Sequence, residues 1–441
     1  MTSALLTDRY ELTMIDAAIG SGLHERECVF EVFARRLPDG RRYGIVAGTG
    51  RLLELIREFR FGDAELEWLR TNNVVRAATL DWLADYSFAG SISGYREGEV
   101  YFPGSPMLVV QGGFAESVVL ETLVLSVLNY DSAVASAASR MVNAAVGRPL
   151  AEMGSRRASE RAAVAAARAA FIAGFGATSN LEAGRTWGVP TMGTAAHAFT
   201  LLHENERAAF EAQVAALGPS TTLLVDTYNV TAAVELAVEV AGTDLGAVRI
   251  DSGDLPSQVA AVRAQLDALG ATATKITVTN DLDEYTIAAL SAAPVDSFGV
   301  GTSVVTGSGH PAAGLVYKLV ARRDESGAWQ SVAKKSAAKA TIGGRKFAVR
   351  SLSGGVADAE TIYIGVAPDE SASSRPLLVS LVTGGVLDER YLGAQGTLLA
   401  REHRAMAVAE LPEDALRLSR GEPAIPTAYV ADPSTRLTYP A

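Results

Sequence analysis

The stretch that decides the fold runs over residues 223–254. It opens on Leu223-Leu224-Val225-Asp226-Thr227-Tyr228-Asn229. It then passes through an Ala- and Val-rich helical stretch over 231–240 and closes on Val248-Arg249-Ile250-Asp251-Ser252-Gly253-Asp254. Each end is a short apolar β-type run followed at once by polar residues. A strand, a helix and a second strand of this kind make a βαβ unit, which sets both strands parallel in one sheet. Parallel strands are covered on both faces, so they read as continuous apolar runs rather than as an alternation.

Working outward, the same cycle recurs. Apolar runs lie at 149–153, 189–192, 223–225, 248–250, 276–278 and 297–300, with Ala-rich helical stretches such as 161–171 between most of them. The fold class expected is α/β, and with this many units an irregular (β/α) barrel is the leading topology. A helix over 115–145, apolar nearly all round, precedes the cycle and should be buried. Before it come a helix over 7–20 ended by Gly20, a strand over 28–36, a turn at Leu37-Pro38-Asp39-Gly40 and an amphipathic helix over 50–61. Short extended pieces follow over 92–110. From about residue 315 the cycle stops. Gly343-Gly344, Ser353-Gly354-Gly355 and Gly384-Gly385 punctuate β-type runs and read as hairpins. A final helix over 398–408 and an irregular tail with Pro423, Pro426, Pro433 and Pro440 complete the chain. The expected domains are 1–114 (α/β), 115–318 (barrel) and 319–441 (β-rich with a final helix, packing with the first).

Composition bounds the function. The 441 residues carry a net charge of −11, and 48% are apolar. That is an enzyme-like profile without the basic footprint of a nucleic-acid or anionic-membrane binder. The single cysteine, Cys28, allows neither an internal disulfide nor a Cys-based metal site, which fits a reducing cytoplasm. The N-terminus lacks a signal-peptide pattern. The apolar stretch over 107–128 is broken by Gln111, Glu116 and Glu121, so it is not read as a membrane span. The readings are therefore a cytoplasmic protein with no nucleic-acid partner and no membrane.

In parallel α/β folds ligands sit beyond the carboxyl ends of the strands. Polar residues gather there: Gly154-Ser155-Arg156-Arg157, Gly193-Thr194-Ala195-Ala196-His197, Asp226-Thr227-Tyr228-Asn229, Asp251-Ser252-Gly253-Asp254 and Gly301-Thr302-Ser303. Gly299-Val300-Gly301-Thr302-Ser303 can present backbone N–H groups to a phosphate. Arg156 and Arg157 can hold a second anion by forked hydrogen bonds. Asp226, Asp251 and Asp254 suit Mg²⁺ or ribose hydroxyls. Each feature has a plainer explanation. Paired arginines are often surface ion pairs, Asp251, Asp254 and Asp226 can cap helices, and His197 can be a satisfied core histidine. Co-location at strand ends is what lifts the set. No Gly-x-x-x-x-Gly-Lys loop and no His-Glu-x-x-His is present, and Ser336-Ala337-Ala338-Lys339 matches a serine–lysine pattern by chance.

Seven blocks together resemble nicotinate phosphoribosyltransferase. They are Leu6-Thr7-Asp8-x-Tyr10-x-Leu12-Thr13-Met14, Phe30-Glu31-x-Phe33-x-Arg35-x-x-Pro38, Glu152-Met153-Gly154-x-Arg156-Arg157, Gly193-Thr194-x-Ala196-His197-x-Phe199, Leu224-x-Asp226-Thr227-Tyr228, Arg249-x-Asp251-Ser252-Gly253-Asp254-Leu255 and Gly299-x-Gly301-Thr302. They follow the family's order from Leu6 to about Lys318, and the region beyond matches weakly. The resemblance implies a type II phosphoribosyltransferase fold. The implied reaction is nicotinate plus phosphoribosyl diphosphate giving nicotinate mononucleotide and pyrophosphate, in NAD biosynthesis or salvage. ATP is implied as a co-substrate coupled through a phosphohistidine (hence a C–N ligase classification), with Mg²⁺ as cofactor.

The phosphorylated histidine falls on His197. Nicotinate contacts fall on Tyr10, Thr194 and Arg249, and Thr302 falls on the phosphate turn. Arg156 and Asp226 match active-site positions, and Ser252 and Gly301 join the substrate-binding set. Asp226 and Asp251 are expected to act in catalysis, with Asp251 and Asp254 as Mg²⁺ ligands. Tyr10 is expected to reach in from a neighbouring subunit, so a homodimer with interfacial active sites is implied. Alternatives are a phosphoribosyltransferase for nicotinamide or quinolinate, a barrel lyase or isomerase acting on a sugar phosphate, and a non-catalytic sensor of phosphoribosyl compounds.

Overall fold

The computed structural model describes residues 4–334, 341–369, 371 and 373–431. Ser336-Ala337-Ala338-Lys339, Pro433 and Pro440 lie outside them. The chain divides into two compact units. One comprises the described residues up to Ser136 together with those from His310 onward; the other is Ala137–Gly309. These boundaries replace the expected ones at 114/115 and 318/319.

Ala137–Gly309 holds a six-stranded parallel sheet. Its order is Ala177–Thr178, Leu150–Glu152, Ser297–Val300, Lys275–Val278, Ala247–Ile250, Thr222–Leu224. The α/β class and the barrel-type parallel sheet expected from the βαβ cycle are present, the sheet forming a half-barrel. Leu223, Val248, Ile250, Ile276, Val278 and Val300 are fully buried in it. The outer helices Val230–Ala241 and Leu255–Ala268 bury Ala233, Val234, Ala237 and Val238, and Val259, Val262 and Leu266. That three- and four-residue spacing is the apolar stripe a helix turns toward a sheet.

The run at 189–192 is not a strand. Pro190 has no N–H to give a ladder, and only an isolated bridge between Thr178 and Thr191 forms. The short strand Ala177–Thr178, absent from the sequence reading, takes the edge position instead.

The other unit is built on a seven-stranded antiparallel sheet. Its order is Trp329–Ser331, Leu315–Arg323, Glu27–Ala34, Leu108–Gly113, Ser91–Tyr95, Leu378–Thr383, Val386–Leu387. Glu27–Ala34 pairs with Leu315–Arg323, Phe33 facing Val316, and Phe30 stacks on Tyr317 at 5.0 Å. Both chain ends therefore build one sheet, which is why residues 310–318 leave the expected barrel domain. A four-stranded sheet from Ser374–Pro376, Lys346–Ser353, Val356–Ile364 and Thr427–Ala431 adds to it. The Ser353-Gly354-Gly355 hairpin is as expected. The tail is not wholly irregular, because Thr427–Ala431 pairs in parallel with Val356–Ile364.

The apolar stretch expected as one helix over 115–145 is two, Phe114–Val118 and Glu121–Ala145. By length and composition Phe114–Ala145 suffices to cross a membrane, but 67% of its most apolar window is buried inside the fold, as in a core helix. Leu120, Leu123, Val124, Val127 and Leu128 join the core around Phe30 and Leu52. Each such burial is worth roughly 1.5–3 kcal/mol.

The first helix is Arg9–Ser21. Gly22, at φ 71°, ends it rather than Gly20, because its left-handed backbone lets its N–H cap Ala18 and Ile19. Glu11 on this helix is fully buried and accepts from the Thr122 N–H (2.7 Å) and hydroxyl (2.6 Å). Burial pushes its carboxyl up to about 7. Between the ordinary 4.5 and about 7 the folded chain holds a proton that the unfolded chain has lost. Stability therefore falls as pH rises through that window, by at most about 3.5 kcal/mol. Glu11→Gln is expected to flatten this slope in denaturant titrations at pH 4.5–7.5; an unchanged slope would exclude Glu11 as its source.

Candidate active site

The strand ends of the half-barrel gather most of the expected residues. Arg249, on the Ala247–Ile250 strand, is the hub. Its Nη1 donates to the Thr194 hydroxyl at 2.8 Å and its Nε to the Thr279 hydroxyl at 3.0 Å. Its Nη2 lies 3.3 Å from Asp251 Oδ1. The guanidinium is thus locked in one plane while its side chain keeps 12% exposure toward the site.

Asp226 follows the Thr222–Leu224 strand. Its Oδ2 accepts from the Asp251 N–H (2.9 Å) and the Ser252 hydroxyl (2.6 Å), which ties two neighbouring strand ends together. Its Oδ1 is buried and has no hydrogen-bond partner among the described residues. His197 begins the helix His197–Leu202. Its Nδ1 lies 3.1 Å from the Thr227 hydroxyl. Its Nε2 lies 3.8 Å from Asp226 Oδ1 and 3.9 Å from Asp251 Oδ2. At 40% exposure His197 is no core histidine.

A cavity of about 180 Å³ opens beside this cluster, lined by Arg156, Arg157, Arg249, Asp251, Gly301 and Thr302 among others. Arg156 and Arg157 sit on the single turn Ser155–Arg157 and are exposed. Neither has an ion-pair partner among the described residues. Gly301 precedes the short helix Thr302–Val305, whose first N–H groups have no intrahelical acceptor. Two cations and a row of amide donors thus face one small space, an arrangement that takes phosphate.

Asp254 stands apart. It occupies the N-cap position of Leu255–Ala268 and its carboxylate accepts from the Ser257 hydroxyl at 2.5 Å. Among the described residues no group of three or more His, Cys, Asp or Glu is arranged to hold a metal ion. Asp226, Asp251 and Asp254 therefore do not form one acidic cluster, as the sequence suggested. Tyr10 lies in the other unit, on the helix Arg9–Ser21, and is 46% exposed.

Two site residues escaped the sequence reading. Thr279 is buried, accepts from Arg249 and donates to Asp251 Oδ1 in a short hydrogen bond. It follows the Lys275–Val278 strand, so the strand-end rule applied to that strand finds it. Thr227, between Asp226 and Tyr228, holds the His197 ring. Asn280 and Asp281 rim the cavity at φ 98° and 36°, positive values that Asn and Asp adopt more readily than other non-glycine residues.

Residues 5–129 match the nicotinate phosphoribosyltransferase (NAPRTase) N-terminal domain. Nicotinate phosphoribosyltransferase pncB1 of Mycobacterium tuberculosis is 55% identical over 438 residues, covering 97% of this chain and 95% of its own. The nicotinate phosphoribosyltransferase of Bacillus subtilis is 36% identical over 375 residues, covering 82% and 76%. The crystal structure of human nicotinic acid phosphoribosyltransferase superposes with a TM-score of 0.82 at 26% identity, covering 97% and 98%. A nicotinate-nucleotide pyrophosphorylase from Pyrococcus furiosus shares the fold at a TM-score of 0.73 and 22% identity, over 92% and 95%. Identity at this level over nearly the whole length makes the assignment direct: the chain belongs to the nicotinate phosphoribosyltransferase family.

Proposed function

We propose that this chain transfers the phosphoribosyl group of 5-phosphoribosyl 1-diphosphate to nicotinate in NAD biosynthesis, and that ATP hydrolysis drives the transfer through phosphorylation of His197. The observation that carries the reading is the single cluster in which a plane-locked Arg249, an exposed His197 between two carboxylates and the Arg156-Arg157 turn converge.

Arg249 pairs with the nicotinate carboxylate by charge-assisted hydrogen bonds, beside the Thr194 hydroxyl. Tyr10 stacks on the pyridine ring, supplied by a neighbouring copy in a homodimer. The Gly301-Thr302 turn takes the 5-phosphate and Arg156 the diphosphate. The bond from sugar C1 to the diphosphate oxygen breaks and the pyridine nitrogen bonds to C1. Positive charge grows on the sugar meanwhile, and Asp226 and Asp251 stabilise it. Ser252 holds Asp226 in place through its hydroxyl.

The unpartnered buried Oδ1 of Asp226 and the partly exposed Asp251 fit a Mg²⁺ carried in with the diphosphate, since this ion commonly takes one or two carboxylates plus phosphate oxygens. Such an ion would supply charge neutralisation for the leaving pyrophosphate. Asp254, engaged with Ser257, is not in that set.

In the tautomer whose Nδ1–H donates to the Thr227 hydroxyl 3.1 Å away, the lone pair of His197 lies on Nε2 and attacks the terminal phosphoryl of ATP, releasing ADP; water later breaks the N–P bond and carries the phosphoryl off as inorganic phosphate. ATP and phosphoribosyl diphosphate then share one polyphosphate pocket, and independent sites in competition kinetics would refute this. Incubation with labelled nicotinate and phosphoribosyl diphosphate, with and without ATP, is expected to give the mononucleotide in both cases, faster with ATP. A higher kcat/KM for nicotinamide or quinolinate would overturn the substrate assignment.

A further inference from the structure

We infer that Glu152 is a positioning residue: with Thr178, Asn180 and Ser155 it closes a ring of hydrogen bonds that fixes the turn carrying Arg156 and Arg157. The inference rests on reading those arginines as the diphosphate-binding group.

Glu152 ends the strand Leu150–Glu152 and is fully buried. Among the described residues no Lys, Arg or His pairs with it, and a buried carboxylate without a cation is costly to maintain. Burial pushes it above the ordinary carboxylate range, while the Thr178 hydroxyl and the Gly154 N–H draw it back. Its two oxygens do separate work. Oε1 accepts a short hydrogen bond from the Gly154 N–H, and Oε2 accepts from the Thr178 hydroxyl at 2.5 Å.

The Thr178 oxygen in turn accepts from the Asn180 N–H at 3.0 Å. The Asn180 Oδ1 caps the helix Leu181–Trp187 by accepting from the Ala183 N–H at 2.9 Å. That fixes the amide so that Nδ2 donates to the Ser155 hydroxyl at 2.9 Å. Ser155 follows Gly154, and the ring is closed.

The ring sets a distance. A Cβ on Gly154 would lie 2.3 Å from Val305 Cγ1 and 2.8 Å from the Gly301 carbonyl oxygen. The arginine turn is therefore pressed onto the Gly301-Thr302 turn, and the ring decides how the two halves of the phosphate site face each other. The Gly154 N–H demands an acceptor oxygen at 152, and the Thr178 hydroxyl donates to the second one. A glutamine NH₂ would either confront the Gly154 N–H or replace the oxygen that accepts from Thr178, so that the Thr178 hydroxyl hydrogen loses its acceptor and the bond reverses.

The test uses the full-length enzyme with each substrate varied separately. Glu152→Gln and Thr178→Val are each expected to raise KM for phosphoribosyl diphosphate about tenfold, while kcat and KM for nicotinate stay within about twofold. Thr178→Ser should restore the native value, and the double variant should be no worse than the worse single one. An unchanged KM for phosphoribosyl diphosphate would overturn the inference. So would parallel losses for both substrates that track a fall in Tm, as a merely structural staple would give. Arg156→Ala separates the two levels. If it leaves that KM unchanged, the diphosphate role of the turn fails; if it raises KM while Glu152→Gln does not, only the positioning role fails.

Discussion

His197→Ala is expected to abolish phosphoenzyme formation and ATP hydrolysis while leaving a slow, ATP-independent synthesis of the mononucleotide. The groups assigned to the transfer itself, Arg249, Asp226, Asp251 and Thr302, do not depend on the imidazole for their positions. Asp226 is held by the Asp251 N–H and Ser252, and Arg249 by Thr194 and Thr279. Removing the ring therefore removes the phosphoryl acceptor but not the scaffold. Phosphorylation would put fresh negative charge within about 4 Å of two carboxylates, an arrangement that a cation with its diphosphate relieves. That is how the phosphoenzyme would hold phosphoribosyl diphosphate more tightly than the free enzyme does. The check is an acid-labile label from the terminal phosphoryl of ATP. Its survival in the variant would move the acceptor elsewhere.

The second large effect is at Arg249. Arg249→Ala is expected to lower kcat/KM for nicotinate by roughly 10²–10³-fold, the range for losing one partner of a desolvated charge pair. The loss for nicotinamide, which has no carboxylate, should be far smaller, so the ratio between the two substrates is the diagnostic quantity. ATP-dependent labelling of His197 should persist, because Thr227, not Arg249, holds its ring. Equal losses for both substrates would mean that Arg249 supports the site without reading the carboxylate.

Much of this site was legible because a parallel strand points its carboxyl end at the ligand. Asp226, Arg249, Asp251 and Thr302 follow from that rule and from the apolar runs before them. Thr279 obeys the same rule, but a lone threonine after Val278 advertises no chemistry until the guanidinium of Arg249 is seen on it. Asp254 failed for the opposite reason. Its residue type suits a metal, yet three residues on, the Ser257 hydroxyl donates to its carboxylate at the start of the helix. At fold level the βαβ cycle was readable from local periodicity. The sheet shared by the two chain ends was not, since nothing near Phe33 signals that Val316 will face it. The run at 189–192 misled because its apolar residues outweighed Pro190.

That shared sheet bears on how the chain is made. The strand Glu27–Ala34 leaves the ribosome early, but its neighbour Leu315–Arg323 follows only after all of Ala137–Gly309 has been synthesised. At about 5–20 residues per second this is a wait of roughly fifteen seconds to a minute. During that time one edge of Glu27–Ala34 lacks its partner and its apolar face lacks the core residues from the far end. The nascent chain is most open to chaperone capture or edge-to-edge aggregation in this interval. Slow translation of Ala137–Gly309 should therefore damage yield by a route that no active-site substitution shares.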